Sequence, residues 1–149
     1  VNYNCPGQLV IAGEKAALAE AIENCKAAGA RRALPLAVSG AFHTPLMAKA
    51  AAELRAYVAD FTFSAPKMDI YSNLDGKVYD CSDLPAHLEQ HMISPVRWTQ
   101  LVKNGMAAGL TSACEIGTGK TLTGFAGKIS KELTCKTVQD MAGVQAAAE

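Results

Sequence analysis

The chain is short of charge and of aromatic residues, and it has no long apolar run; each shortage removes a class of function. Charged residues are 19% of the 149 and balance at 14 basic against 14 acidic, scattered along the sequence. They leave no electrostatic footprint for nucleic acid or for an anionic membrane surface. No apolar stretch approaches the roughly 20 residues of a membrane span. The first residues, Val1-Asn2-Tyr3-Asn4, have neither an initiator Met nor the basic-then-apolar order of a signal region, and read as the middle of a strand, as expected of a fragment. Cys-x-x-Cys pairs are absent too. The five cysteines are an odd number and three fall inside apolar patterns, so neither a zinc site nor a disulfide framework is expected. The expectation is buried, reduced thiols in a cytoplasmic protein.

What is present is hydrophobic: half of the residues, enough to argue against disorder and for one packed core. Tyr3 to Ala12 reads as two short strands joined at the Pro6-Gly7 turn. From Glu14 the period becomes helical, with Leu18, Ala21, Ile22 and Cys25 on one face and Gly29 closing the helix. A strand is expected over Ala33–Val38. This strand–strand–helix–strand run resembles most of a ferredoxin-like unit without its first strand and helix. Its helix face needs a wider sheet to cover it.

Beyond Ser39 the composition shifts. Pro45 opens a helix carrying Met47, Ala50, Leu54, Tyr57 and Val58. Extended pieces follow at Phe61–Phe63, Met68–Asn73 and Lys77–Tyr79, the last two flanking an Asp75-Gly76 turn. Ser82 is expected to cap a helix running to Met92, and Ser94-Pro95 to start the next, through Trp98, Leu101, Val102 and Gly105. Thr111–Ile116 reads as a buried strand, Gly117-Thr118-Gly119 as a tight loop, Leu122–Leu133 as a helical face, and Cys135–Gln139 as a last strand. Helices alternating with short apolar strands predict a layered α/β domain with parallel pairing.

Three groups of residues invite chemistry. His43 lies in Ser39-Gly40-Ala41-Phe42-His43-Thr44-Pro45, a loop between strand and helix where an imidazole can face a pocket as a base. No Gly-x-Ser-x-Gly turn supplies it with a nucleophile; the nearest approach, Ala37-Val38-Ser39-Gly40-Ala41, has the wrong residue at both glycine positions. Gly117-Thr118-Gly119-Lys120-Thr121 matches the end of a phosphate-binding loop but has Cys114 where its first glycine belongs, so a strand-to-helix turn is the simpler role. His87 and His91 stand at i and i+4 without a third ligand, and no metal is expected. Arg97 and the Arg31-Arg32 pair read as solvated charges.

Four segments taken together are more specific. Asn2 to Gly13 (NYNCPGQLVIAG) resembles the signature before the second half of the small subdomain in malonyl-CoA:acyl-carrier-protein transacylases. Val38–Met47 resembles that family's active-site histidine segment, Ser94-Pro95-Val96-Arg97-Trp98 its Pro-Val-x-Trp helix start, and Glu115-Ile116-Gly117-Thr118-Gly119-Lys120 its near-terminal motif. They occur in the family's order and span Asn2 to about Leu133, with Cys5 in place of Ser and Thr118 in place of Pro.

The resemblance implies the C-terminal part of an α/β-hydrolase-like acyltransferase domain over 39–149, plus an incomplete ferredoxin-like small subdomain over 1–38. It implies malonyl transfer from coenzyme A to the phosphopantetheine thiol of an acyl carrier protein in fatty acid biosynthesis, through an acyl-serine and without a cofactor. His43 would be the general base and acid, the main-chain carbonyl of His91 would orient it, and Phe42, Asn2 and Asn4 would line the pocket. The family's oxyanion segment, serine elbow and carboxylate-binding arginine have no counterpart here, so an N-terminal half is an expected partner and the chain alone is expected to be inactive and to self-associate. The open alternatives are a polyketide synthase acyltransferase domain, a non-catalytic ferredoxin-like binding module, and nucleotide binding at the 117–121 loop.

Overall fold

The computed structural model describes residues 1–148. The elements run β1 (Asn2–Cys5), β2 (Gln8–Val10), α1 (Lys15–Ala27), a 3-10 turn (Pro45–Met47), α2 (Ala48–Val58), α3 (Leu84–Ile93), α4 (Trp98–Ala107), β3 (Ser112–Ile116), α5 (Thr121–Ile129), β4 (Thr134–Val138) and α6 (Met141–Ala148). Helices thus alternate with short strands, an α/β chain as expected. The chain packs as two compact units. One holds Val1–Asn2, Val10–Lys67 and Asp80–Val96; the other holds Tyr3–Leu9, Met68–Tyr79 and the described residues from Arg97 on. These units do not follow the expected boundary at residue 38. In the first, Val96 donates its N–H to the Val1 carbonyl at 2.7 Å and bridges Asn2 in parallel, joining segments far apart in sequence.

The first unit is organised around α2 and α3, which pack on each other. Ala51 on α2 is fully buried, and a residue this small permits close approach of the two backbones. Tyr57, expected on the buried stripe, is 67% exposed instead. Pro45 does open helical structure, but the first turn is 3-10, with Thr44 as its cap, and α2 proper begins at Ala48. Asp83, not Ser82, caps α3, accepting from the Ala86 N–H at 3.0 Å; Ser82 is bound to Asp80. Helix α1 ends as expected, with Gly29 at φ +90° just beyond its cap.

The expected strand at 33–38 does not form. Val38 donates to the carbonyl of Leu36, a local turn, and nothing among the described residues pairs with this segment. Leu34, Leu36 and Val38 are each at least 60% exposed. An extended run becomes a strand only when another backbone takes its hydrogen bonds. Phe61–Phe63 is likewise unpaired.

In the second unit, Met68–Tyr79 folds back at Asp75-Gly76 as expected, although pairing is limited to the Tyr71–Val78 bridge. Ser94-Pro95 starts no helix: Ser94 ends α3 in extended conformation and α4 begins at Trp98. Strands β3 and β4 pair in parallel, with Ala113 opposite Cys135 and Ile116 opposite Val138. The apolar cluster is Val102 (α4), Ala126 (α5) and Leu133, flanked by Trp98, Leu101, Met106, Ala113, Ile129 and Cys135. Strand β3 is not the buried strand expected; Ile116 is 81% exposed. Nor are the thiols uniformly buried. Cys5 is, whereas Cys25 and Cys114 are exposed. Helix α6 was not anticipated, although Asp140 caps it by accepting from the Gly143 N–H at 2.8 Å.

Candidate active site

The site begins with an unsatisfied helix end. The last carbonyls of any α-helix lack intrahelical partners, and α3 stops when Ser94 turns extended. Two of those carbonyls are taken by a single residue. The main-chain N–H of His43 donates to the Met92 oxygen at 3.0 Å, and Nδ1 of its ring lies 3.0 Å from the His91 oxygen. A carbonyl can only accept, so Nδ1 carries the proton and the neutral ring leaves Nε2 bare. His43 holds φ at +63°, the left-handed region, where a side chain costs roughly 1–2 kcal/mol. The double clamp from α3 and the Thr44 cap that follows hold it there. Thr44 is buried, donating to the Ala41 carbonyl at 2.7 Å and accepting from the Leu46 N–H at 3.2 Å.

The side chain of His91 belongs to this site as well as its carbonyl. Its ring centroid is 5.8 Å from that of His43 at 67° and 6.3 Å from that of His87, nearly parallel. Its Nε2 is buried and has no hydrogen-bond partner. Burial lowers its pKa first, and the charges of His43 and His87 lower it further. The helix C-terminus favours a cation at this position, but burial prevails.

Among the sequence-predicted site residues, the structure therefore brings His43 and His91 together. Phe42 is half exposed, and a side chain on Gly40 would meet its ring at 3.3 Å. Asn2 lies in the same unit, where its backbone bridges Val96; Asn4 belongs to the other unit. No hydrogen bond joins either Asn side chain to His43 among the described residues. Sequence reasoning overlooked the His91 ring and Thr44. The signal for Thr44 was the Thr-Pro pair, a cap followed by proline.

The 117–121 loop forms the strand-to-helix turn, with Gly117 at φ +137° and Gly119 at +92°. The first amides of the helix that follows are already engaged. The Glu115 carboxylate accepts from Leu122 N at 3.1 Å and Thr123 N at 2.7 Å, and these bonds hold its pKa below the usual carboxylate value. An internal anion thus occupies the helix start where a phosphate would bind. Among the described residues, no cluster of three or more His, Cys, Asp or Glu could hold a metal ion, and no helix is long and apolar enough to cross a membrane.

Comparison with known proteins places this geometry. The acyl transferase domain family matches residues 1–144. The chain belongs to that family. It is 43% identical over 148 residues to the malonyl CoA-acyl carrier protein transacylase of Salmonella typhimurium, a match that covers 99% of this chain and 48% of that protein. The solved acyl carrier protein S-malonyltransferase of Vibrio cholerae superposes with a TM-score of 0.92 at 43% identity, over 99% of this chain and 48% of the other. A malonyl-transacylase solved in complex with its type II polyketide synthase acyl carrier protein gives 0.94 at 40% identity, over 99% and 48%. The chain thus spans about half the length of the relatives it matches.

Proposed function

We propose that this chain supplies the general base of an enzyme that transfers malonyl from coenzyme A to the phosphopantetheine thiol of an acyl carrier protein. The observation that carries the reading is the His43 ring bound through Nδ1 to the His91 carbonyl at 3.0 Å, which leaves Nε2 ready to accept a proton. A main-chain oxygen here does the orienting that a carboxylate does in serine hydrolases. In the first half-reaction a serine hydroxyl, from polypeptide outside these 149 residues, gives its proton to Nε2 as its oxygen attacks the malonyl thioester. The imidazolium then returns that proton to the departing coenzyme A sulfur. In the second, the carrier thiol gives its proton to Nε2 and its sulfur attacks the acyl-serine ester, and the serine oxygen leaves with the proton. The reaction so written draws on no metal, and its one prosthetic group is the phosphopantetheine that the carrier brings. His43 is the catalytic residue and His91 the positioning one, while Phe42, Asn2 and Asn4 are pocket candidates.

The exposed Leu34, Leu36 and Val38 support a surface meant for further polypeptide, since extended apolar patches are uncommon on free monomers. The solved relative bound to a polyketide carrier keeps such a carrier as a second reading, to be separated by comparing transfer to carriers of both kinds. The test of the main reading replaces His43 with Ala in the full-length enzyme containing this sequence. We expect transfer to fall at least about 100-fold; a smaller loss overturns the assignment. The 149-residue chain alone is expected to transfer nothing, and malonyl transfer by it would refute the need for an outside serine.

A further inference from the structure

Three imidazoles stand in a row at the end of α3, and the middle one has no task in the reaction as written. His91 lends its carbonyl to His43, which any residue could do. Its side chain nevertheless packs edge-on against the catalytic ring at 5.8 Å, with His87 behind it at 6.3 Å. Its Nε2 is enclosed without a partner. A neutral imidazole tolerates one unpaired nitrogen there, whereas an imidazolium has two N–H donors that both need acceptors. We propose that the His91 side chain is a positioning residue that works only while uncharged, so that two imidazoles, not one, must be free of their extra protons for acyl transfer. This rests on the transferase reading above.

The surroundings give a charged His91 nothing to hold it in place. From the loop that packs on it comes His43, and from its own helix His87, and a charge on either ring opposes a charge on His91. The Pro45–Met47 turn carries no charged residue. From α2 comes Arg55, already paired with Glu89 of α3 at 2.9 Å; the other charged residues of α2, Lys49 and Glu53, are exposed to solvent. Once protonated, the ring must reach water. It sits in the last turn of α3, and moving it displaces the His91 and Met92 carbonyls that clamp His43. With the clamp open, the left-handed backbone of His43 relaxes and Nδ1 loses its acceptor. The burial that lowers the His91 pKa keeps its ring uncharged to lower pH than a free imidazole.

The experiment is the pH profile of kcat/KM for the full-length enzyme containing this sequence, alongside His91→Gln and His91→Phe, both of which keep the main-chain oxygen. In the unsubstituted enzyme the acid limb should steepen from one proton to two. Each further pH unit below the His91 titration would then lose about 100-fold instead of about tenfold. Both variants should lose one proton's worth throughout, whatever their plateau rates. Identical slopes in all three enzymes overturn the proposal. If the enzyme transfers no acyl group at any pH, the transferase reading falls on its own, and the clamp is read instead by the His43 Nδ1–H resonance in proton NMR. That signal should vanish as His91 titrates and persist to lower pH in both variants; equal persistence in all three proteins overturns the inference.

Discussion

Thr44→Val isolates what holds the catalytic loop. Valine nearly matches threonine in shape, so packing at this buried position survives while both hydroxyl bonds vanish. These are the donation to Ala41 at 2.7 Å and the acceptance from Leu46 at 3.2 Å. At about 1 kcal/mol net for each bond, the loss is about 2 kcal/mol. Thr44→Ser keeps both bonds and deletes one methyl, about 0.8 kcal/mol at full burial. The valine variant should therefore be the less stable by about 1 kcal/mol, although it is the better shape match. The deficit is local, and it is comparable to the roughly 1–2 kcal/mol that the left-handed His43 backbone stores. Releasing that strain would free the ring from the His91 carbonyl, so kcat should fall with KM little changed. Urea unfolding of the full-length enzyme is the assay. With a slope of 1–3 kcal/mol per molar, a 2 kcal/mol loss moves the midpoint by about 1 M. A valine variant as stable as the serine variant would refute the claim that the hydroxyl bonds, rather than the fill, hold this loop.

Two further perturbations probe the second unit. Gly76→Ala places a Cβ 2.9 Å from the Leu101 nitrogen at φ +72°, whereas Gly109→Ala at φ +102° meets nothing within 4 Å. The first should lower stability by about 1–3 kcal/mol more than the second, and equal unfolding midpoints would contradict the close approach. Glu115 has a lowered pKa, so its stabilising contribution is present above the ordinary value of 4.5 and lost as pH falls through the folded value. Glu115→Gln should flatten the stability profile below about pH 5, and ATP with magnesium should raise the melting temperature of neither protein; stabilisation by nucleotide would revive the phosphate-loop reading.

The candidate site was legible where it depended on residue type, and hidden where it depended on backbone geometry. An imidazole in a small-residue loop pointed to His43, and the resemblance of the Ser94-Pro95 segment counted four residues back to His91. Nothing in the letters showed that His43 sits at φ +63°, a conformation that its neighbours impose. Nor did spacing show that the His91 ring, as well as its oxygen, packs against the base. The i, i+4 relation of His87 and His91 was weighed as a metal-ligand spacing and set aside for want of a third ligand, and what it produces is a stack of rings with an enclosed nitrogen.

The fold divides along a physical line. Helices α1, α2, α4 and α5 lie within a few residues of their sequence readings because a helix closes its hydrogen bonds within four residues, so the local period carries the information. The strands at 33–38 and 61–63 failed although they are richer in apolar residues than those at 2–5, 112–116 and 134–138, which formed. What separated them was a second segment within reach: β2 for β1, and β4 for β3 in matched register. The same logic explains Ser94-Pro95, whose letters favour a helix start. Val96 instead spends its N–H on the Val1 carbonyl, a partner almost a hundred residues away, and that bond delays α4 until Trp98. The segment with alternating exposed Leu34, Leu36 and Val38 has a strand's letters but no second backbone taking its hydrogen bonds among the described residues, and Val38 turns back on Leu36 instead.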